Sequence, residues 1–201
     1  MTSDWRSSVI EYIRSEASPV DKFGHQPRLY SLATEIGKGL HYDDDVLFAA
    51  AWMHDLGVFL GHRPQNPEQL SRWDHVPYTI QRSRELLSNW GFPSEKLDAV
   101  AEAILHHQPK DEPATVEATL LRDVDILEQL GAVGILRMAA KVGRDTRYPT
   151  FSSILPVLTH SVNYLANQTR LSQTKVMAQS RVEMLRSFLI ALENEARNQL
   201  Y

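Results

Sequence analysis

Apolar residues recur every three or four positions along nearly the whole chain, which is the spacing that places them on one face of an α-helix. Alternating apolar and polar runs bounded by hairpin turns, the pattern of β-strands, are hard to find. The pattern therefore predicts an all-α fold. One helix is expected to begin close to His25, and a long amphipathic helix is expected from Thr174 to about Arg197.

The segment DDDVLFAAAWMHDLG predicts a further helix, which opens at the acids Asp43–Asp45 and closes near Gly57. His54 and Asp55 fall in the last turn of this helix. From Gly57 to about Arg72, glycines and prolines predict a loop that is long enough to form a lid or to determine specificity.

Length and charge restrict the class of protein. With 201 residues, of which 43% are hydrophobic and 23% charged, the chain can bury a core, and its length fits one domain better than two. We therefore expect a single domain over residues 1–201. The net charge of −4 offers no basic field to a phosphate backbone, so DNA or RNA is disfavoured as an obligatory partner.

The absence of cysteine restricts the chemistry further. It excludes disulfide bonds, thiolate ligands and a cysteine nucleophile, so any metal must be bound by imidazole and carboxylate groups. The N-terminal residues mix charged and apolar side chains, unlike a signal peptide, and no apolar stretch reaches the roughly 20 residues that span a bilayer. The expected protein is cytoplasmic, without a membrane partner.

Two acids lie in apolar surroundings. Asp55 and the preceding His54 follow the apolar run AAAWM, and Asp125 lies between Val124 and Ile126. Burying a carboxylate is costly unless a cation or a hydrogen-bond donor meets it. A mixture of nitrogen and oxygen ligands suits Mn, Fe, Co, Ni, Zn or Mg, and open coordination positions would admit water and substrate. A divalent metal ion is therefore the expected cofactor.

The order of His25, then the pair His54 and Asp55, then Asp125 resembles the H…HD…D signature of the HD superfamily of metal-dependent phosphohydrolases. The match spans residues 25–130, and its most specific strings, MHDLG and RDVDILEQLGAVG, are similar to those of small stand-alone bacterial HD hydrolases. The resemblance implies a helical bundle of the HD-domain type, with C-terminal helices in 150–199 completing the bundle.

The resemblance also implies a ligand set and a reaction. The implied metal ligands are His25, His54, Asp55 and Asp125. In the family the second acid of the D-x-D element binds the metal, so Asp123 is instead a candidate for orienting a ligand histidine. The implied reaction is hydrolysis of a phosphomonoester, phosphodiester or phosphoanhydride bond by metal-activated water, which Asp55 would help to orient.

Three further histidines follow the order HD…H…HH…D found in HD proteins with two metals: His75, His106 and His107. One metal is the default expectation, with His75 and His106 contacting phosphate or water. The alternative is a binuclear centre, in which His75 and His106 bind the second metal. His54, Asp55, His75 and His107 are the predicted catalytic residues.

Two cationic residues are candidates for contact with the substrate. Arg28 lies about one turn after His25, and Lys110 follows the histidine pair. The expected substrate is a nucleotide or a similar small phosphate compound, because the single domain has a lid-sized loop but no basic groove for a polymer. The long C-terminal helix serves either a homodimer or the closure of the bundle.

Departures from better-defined relatives limit the assignment. Val58 follows HDLG where deoxynucleoside triphosphate triphosphohydrolases often carry histidine, and the HD-x-G-K and GYP strings of cyclic-dinucleotide phosphodiesterases are missing. Two other functions stay open: a non-catalytic HD module for binding or signalling, and a di-iron HD oxygenase built on the additional histidines.

Overall fold

The computed structural model describes residues 4–19, 22–197 and 199–201, and within these ranges the chain forms ten α-helices and no β-strand. The prediction of an all-α fold is confirmed. The helices are α1 (Trp5–Glu16), α2 (His25–Ile36), α3 (Asp44–Met53), α4 (Pro67–Ser71), α5 (His75–Asn89), α6 (Leu97–Leu105), α7 (Val116–Glu128), α8 (Gly131–Ala139), α9 (Leu155–Asn163) and α10 (Ser172–Ala196). Short 3-10 turns lie at Leu56–Val58, Ser94–Lys96, Phe151–Ile154 and Leu165–Gln168.

The chain divides into two compact units, Met1–Arg122 and Asp123–Tyr201. Helices α1 to α6 belong to the first unit, α8 to α10 belong to the second, and the boundary falls within α7. The expectation of a single domain over residues 1–201 stays a prediction. Among the described residues, no helix combines the length and the apolar character needed to cross a bilayer.

Helix α3 lies in the core of the first unit because it is apolar on every side. All residues from Val46 to Met53 are buried, and the helix packs against α1, α2 and α6. A helix without a polar face is stable only where other elements surround it. The two residues that follow α3, His54 and Asp55, therefore leave directly from the core.

Paired charges hold the N-terminal end of α3. Asp43 caps the helix by accepting hydrogen bonds from the backbone N–H groups of Asp45 and Val46, at 3.0 and 3.3 Å. Asp45 accepts hydrogen bonds from Arg6 at 2.6 Å and from Lys96 at 2.8 Å. These two hydrogen bonds lower the pKa of Asp45, which therefore stays ionised within an ion-pair network.

The segment from Gly57 to Arg72 contains more regular structure than predicted. Asn66 caps α4 by accepting two hydrogen bonds from backbone N–H groups in the first turn, and Pro67 is the first residue of the helix. The expectation of a loop is wrong for this part, because an asparagine followed by a proline favours the start of a helix. Helix α5 then begins at His75.

The second unit is built from α8, α9 and α10, and α10 packs against the other two. Helix α8 begins at Gly131, whose φ of +66° is in the left-handed region that favours glycine. A Cβ atom at this position would also lie 3.2 Å from the side chain of Arg181. Gly131 therefore allows both the left-handed turn at the start of α8 and the close contact between α8 and α10.

Candidate metal centre

The first pair of candidate ligands comes from the start of α2 and the end of α3. His25 is the first residue of α2 and is 4% exposed, whereas His54 follows α3 and is fully buried. Their Nε2 atoms lie 3.3 Å apart. The Nδ1 atom of His54 lies 3.0 Å from the carbonyl oxygen of Ala51, which can only accept a hydrogen bond. In neutral His54 the proton is therefore on Nδ1, and the lone pair of Nε2 points towards His25.

Asp55 follows His54 and directs its two carboxylate oxygens at different histidines. Its Oδ2 atom lies 3.8 Å from Nε2 of His25 and 3.8 Å from Nε2 of His54. Its Oδ1 atom lies 3.7 Å from Nε2 of His75, the first residue of α5. The carboxylate thus stands between two sets of imidazole nitrogens.

The electrostatic environment keeps Asp55 ionised. Burial raises the pKa of this carboxyl group, but the electrostatic influence of His54, His25 and His75, and then of Lys22, outweighs burial and holds the pKa well below its usual value. The sequence interpretation did not include Lys22, which influences the electrostatics of the site through Asp55. Its position three residues before His25 was the available signal.

His107 completes the second set of candidate ligands. One ligand atom from each of Asp55, His75 and His107 lies within 4.8 Å of the others. The ring of His107 is centred 5.5 Å from that of His75 and 5.1 Å from that of His54. Its Nδ1 atom is 2.6 Å from the carbonyl oxygen of Ile104, so here too Nε2 is left for another contact.

These groups fit a divalent metal ion. Two nitrogens bound to one ion at about 2.0–2.1 Å, with an angle of roughly 90–110° between the bonds, lie about 2.9–3.4 Å apart. The Nε2 atoms of His25 and His54 meet this condition at 3.3 Å. Imidazole nitrogens combined with a carboxylate suit Zn, Mn, Fe, Co or Ni. The described residues of the first unit therefore have the donor chemistry and the spacing for a metal centre.

Only one member of the adjacent histidine pair lies beside Asp55 and His75. The prediction for a second metal named His106, whereas the neighbouring residue in the structure is His107. His106 is 32% exposed in its side chain, and its Nε2 atom lies 3.3 Å from a carboxylate oxygen of Glu102. The group of possible ligands around Asp55 therefore contains His75 and His107, and His106 lies outside it.

The two acids of the D-x-D element both belong to the second unit. Asp123 accepts hydrogen bonds from the backbone N–H groups of Arg170, at 2.9 and 3.0 Å, and of Leu171, at 2.8 Å. This carboxylate therefore holds the chain that enters α10. Asp125 lies on α7 and accepts a hydrogen bond from Gln129 at 3.1 Å. Its role as a metal ligand stays a prediction.

The two candidate substrate contacts are exposed. Arg28 lies on α2, one turn after His25, and Lys110 lies in the turn that follows α6. Their contact with a phosphate stays a prediction.

Comparison with solved structures shows the same fold in several bacterial proteins. Bacillus subtilis YpgQ in selenomethionine form is 20% identical, with a TM-score of 0.74 over 98% of this chain and 99% of that chain. YpgQ in complex with ADP is 20% identical, with a TM-score of 0.68 over 96% and 98% of the two chains. An HD-superfamily hydrolase from Bacillus thuringiensis is 16% identical, with a TM-score of 0.68 over 99% and 100%.

Comparison with sequences identifies the family. An uncharacterised protein of Clostridium beijerinckii is 25% identical over 73 residues, which cover 36% of this chain and 42% of the length of that relative. The family model described as HD domain matches residues 23–130, which is more than half of the chain and includes every predicted metal ligand. The chain belongs to the HD-domain family.

Proposed function

We propose that this protein is a divalent-metal-dependent phosphohydrolase with a two-ion centre, acting on a nucleotide or a similar small phosphate ester or anhydride. Membership of the HD-domain family and the fold shared with an HD-superfamily hydrolase support hydrolysis as the class of reaction. The proposed ligands are His25, His54, Asp55 and Asp125 for one ion, and Asp55, His75 and His107 for the other.

The observation that carries this proposal is the position of the Asp55 carboxylate between two sets of nitrogens. One oxygen faces His25 and His54 at 3.8 Å each, and the other oxygen faces His75 at 3.7 Å. A carboxylate in this position can serve two ions at once. The arrangement favours the two-ion alternative over the expectation of one ion.

Backbone carbonyls preset two of the imidazoles for metal binding. His54 and His107 each direct Nδ1 at a carbonyl oxygen three residues earlier, at 3.0 and 2.6 Å. Such a hydrogen bond fixes the tautomer and the orientation of a ligand histidine. It leaves Nε2, the atom nearest to the Asp55 carboxylate in His54, as the metal-binding nitrogen.

The centre has the chemistry that phosphate hydrolysis requires. Bound divalent ions lower the pKa of water and stabilise negative charge on phosphoryl oxygens. From the protein, Lys22 contributes positive charge beside Asp55. Lys22, Arg28 and Lys110 are the cations that we propose to bind the phosphoryl oxygens of the substrate.

Two observations support a nucleotide as the substrate. The net charge of −4 disfavours a nucleic acid polymer. YpgQ, which shares the fold over nearly its whole length, has been solved in complex with ADP. Both agree with a small phosphate compound, as the sequence predicts.

The test is metal removal followed by reconstitution. The purified protein is stripped with a chelator, refilled separately with Mn, Co, Ni, Zn or Mg, and assayed for release of phosphate, pyrophosphate or triphosphate from nucleoside mono-, di- and triphosphates. Reloading should restore hydrolysis. His54→Ala should lower hydrolysis by more than about 100-fold, because even the partners of ligand residues contribute about 10–100-fold. His160→Ala, in the second unit at an exposed position, is the matched control.

Three other outcomes would contradict the proposal, and two of them would indicate a different function. Hydrolysis that persists in His54→Ala contradicts the proposal. A stoichiometric metal content, measured by elemental analysis, without hydrolysis of any of these substrates favours a binding module. Oxygen consumption by the iron-loaded protein, again without hydrolysis, favours an oxygenase.

A further inference from the structure

A second cluster of polar side chains in the first unit is centred on His62, a residue that has no role in the proposed function. Its side chain is only 6% exposed. The Nδ1 atom lies 2.7 Å from the hydroxyl oxygen of Tyr78, and the Nε2 atom lies 2.9 Å from a carboxylate oxygen of Glu16. The rings of Tyr12 and Phe59 stand edge-on to the imidazole, with centroids at 6.4 and 6.3 Å.

The protons in this cluster can be assigned from the donors and acceptors. The carboxylate of Glu16 only accepts, so Nε2 of His62 carries a proton and donates it. Burial and the neighbouring Tyr12 raise the pKa of Tyr78, which therefore keeps its hydroxyl proton. In neutral His62 this hydroxyl donates to Nδ1. The imidazole thus connects α1, which contains Glu16, to α5, which contains Tyr78.

His62 connects a largely exposed segment to two helices. No residue from Leu60 to Arg72 is buried, and α4 within this segment contributes no buried residue. His62 is one of the half-buried residues of the segment, and its hydrogen bonds to Glu16 and Tyr78 anchor the segment to α1 and α5.

The chain between Asp55 and this segment is held beside α5 at Gly57. The backbone N–H of Gly57 donates to the hydroxyl of Thr79 at 3.0 Å, and its carbonyl accepts from the indole of Trp73 at 2.9 Å. A Cβ atom on Gly57 would lie 2.9 Å from Cβ of His75. Because Gly57 is two residues after Asp55, a displacement of the segment would move Asp55 relative to His75.

We propose that His62 is a positioning residue, which holds the segment after Asp55 against α5 and thereby maintains the spacing between Asp55 and His75. Tyr78 lies one helical turn after His75, so the hydrogen bond from its hydroxyl acts on the same end of α5. His62 therefore acts mainly on the affinity of the second ion, because Asp55 and His75 both belong to that ion, whereas the first ion keeps His25 and His54 in place. This inference rests on the two-ion centre proposed above.

The experiment compares two substitutions at one position. His62→Leu removes both hydrogen bonds while keeping an apolar volume, and His62→Gln retains a donor and an acceptor. His41→Leu, at an exposed position of the same unit, is the matched control. Hydrogen exchange of the metal-free variants is measured by mass spectrometry, and Mn²⁺ binding is measured by titration calorimetry.

In His62→Leu, exchange should rise by roughly tenfold or more in peptides that cover residues 55–73 and stay unchanged in α6. The second Mn²⁺ should bind about 10–100-fold more weakly, and the first Mn²⁺ should lose much less affinity than the second. His62→Gln should recover at least part of both effects.

Two results would overturn the inference: unchanged exchange in residues 55–73, or equal weakening of both ions. Hydrogen exchange is measured on the metal-free protein, so it tests the anchoring role of His62 independently of the number of ions. If the wild type binds only one ion, the two-ion centre is wrong, and so is the proposed effect of His62 on a second ion.

Discussion

The two ends of helix α3 both gather titratable side chains, but they are built in opposite ways. At the N-terminal end, Asp43 and Asp45 are in direct contact with Arg6 and Lys96, at nitrogen–oxygen distances of 2.6–3.0 Å. At the C-terminal end, three histidine nitrogens surround Asp55 at 3.7–3.8 Å, beyond hydrogen-bond distance.

The cluster at the N-terminal end stabilises the fold, whereas the cluster at the C-terminal end is suited to binding a ligand. Opposite charges in direct contact neutralise one another, and the N-terminal end is complete without any ligand. At the C-terminal end, backbone carbonyls turn His54 and His107 so that Nε2 faces other ligand groups. The imidazole nitrogens and the carboxylate held close together there suit a shared cation. Substitutions at the two ends should therefore affect different properties.

The largest effect is expected for Asp55→Asn. The amide keeps the shape of the side chain but loses the negative charge between the two sets of histidines, so both ions should be weakened. Hydrolysis should fall by more than about 100-fold, while the melting temperature of the metal-free protein should stay within a few degrees of the wild type. Metal content, activity and thermal unfolding check this together. A fully active variant would show that Asp55 is not a ligand.

An intermediate effect is expected for Gly57→Ala. The added methyl group would lie 2.9 Å from both Cβ and the carbonyl oxygen of His75. Such overpacking typically costs about 1–3 kcal/mol, and the backbone shift should also weaken the second ion. At Gly61 the nearest atom to an added Cβ is 3.9 Å away, so Gly61→Ala is the control within the same segment. Equal unfolding temperatures in the two variants would contradict the close approach of Gly57 to His75.

The smallest effect is expected at the N-terminal end of α3. Asp45→Asn should lower the melting temperature at pH 7 by roughly 2–4 °C, which corresponds to about 1 kcal/mol for a chain of this size, the hydrogen bonds being partly exposed. Hydrolysis should not change.

The difference in melting temperature between the wild type and Asp45→Asn should depend on pH, and the direction follows from the pKa of Asp45. The pKa of Asp45 is lowered in the folded state, so its contribution is present above the unfolded pKa of about 3.9 and is lost as the pH falls through the folded value. Melting temperatures of wild type and variant should therefore converge in acid. A gap that does not narrow as the pH falls would exclude ionisation as its cause. Asp98→Asn, at a side chain that is 90% exposed, serves as the control.

The sequence pattern alone was enough to predict the all-α fold and the start of α2 at His25, because helical periodicity and capping are local properties. It also indicated that His54 and Asp55 leave a buried helix, because the run before them has no polar face. The short helix α4 was missed, since its two-residue signal, Asn66 and Pro67, lies within a segment rich in turn formers.

Long-range contacts could not be predicted in this way. Adjacent residues at a helix end point about 100° apart, and only packing decided that His107, not His106, lies beside Asp55 and His75. His62 lies in the segment that the sequence predicts as a loop, but it bonds to Glu16, 46 positions earlier. The sequence by itself therefore determined the fold class and the family, and it indicated imidazole and carboxylate groups as candidate ligands. Tertiary structure decided which nitrogens and oxygens meet, because such distances depend on how separate helices pack.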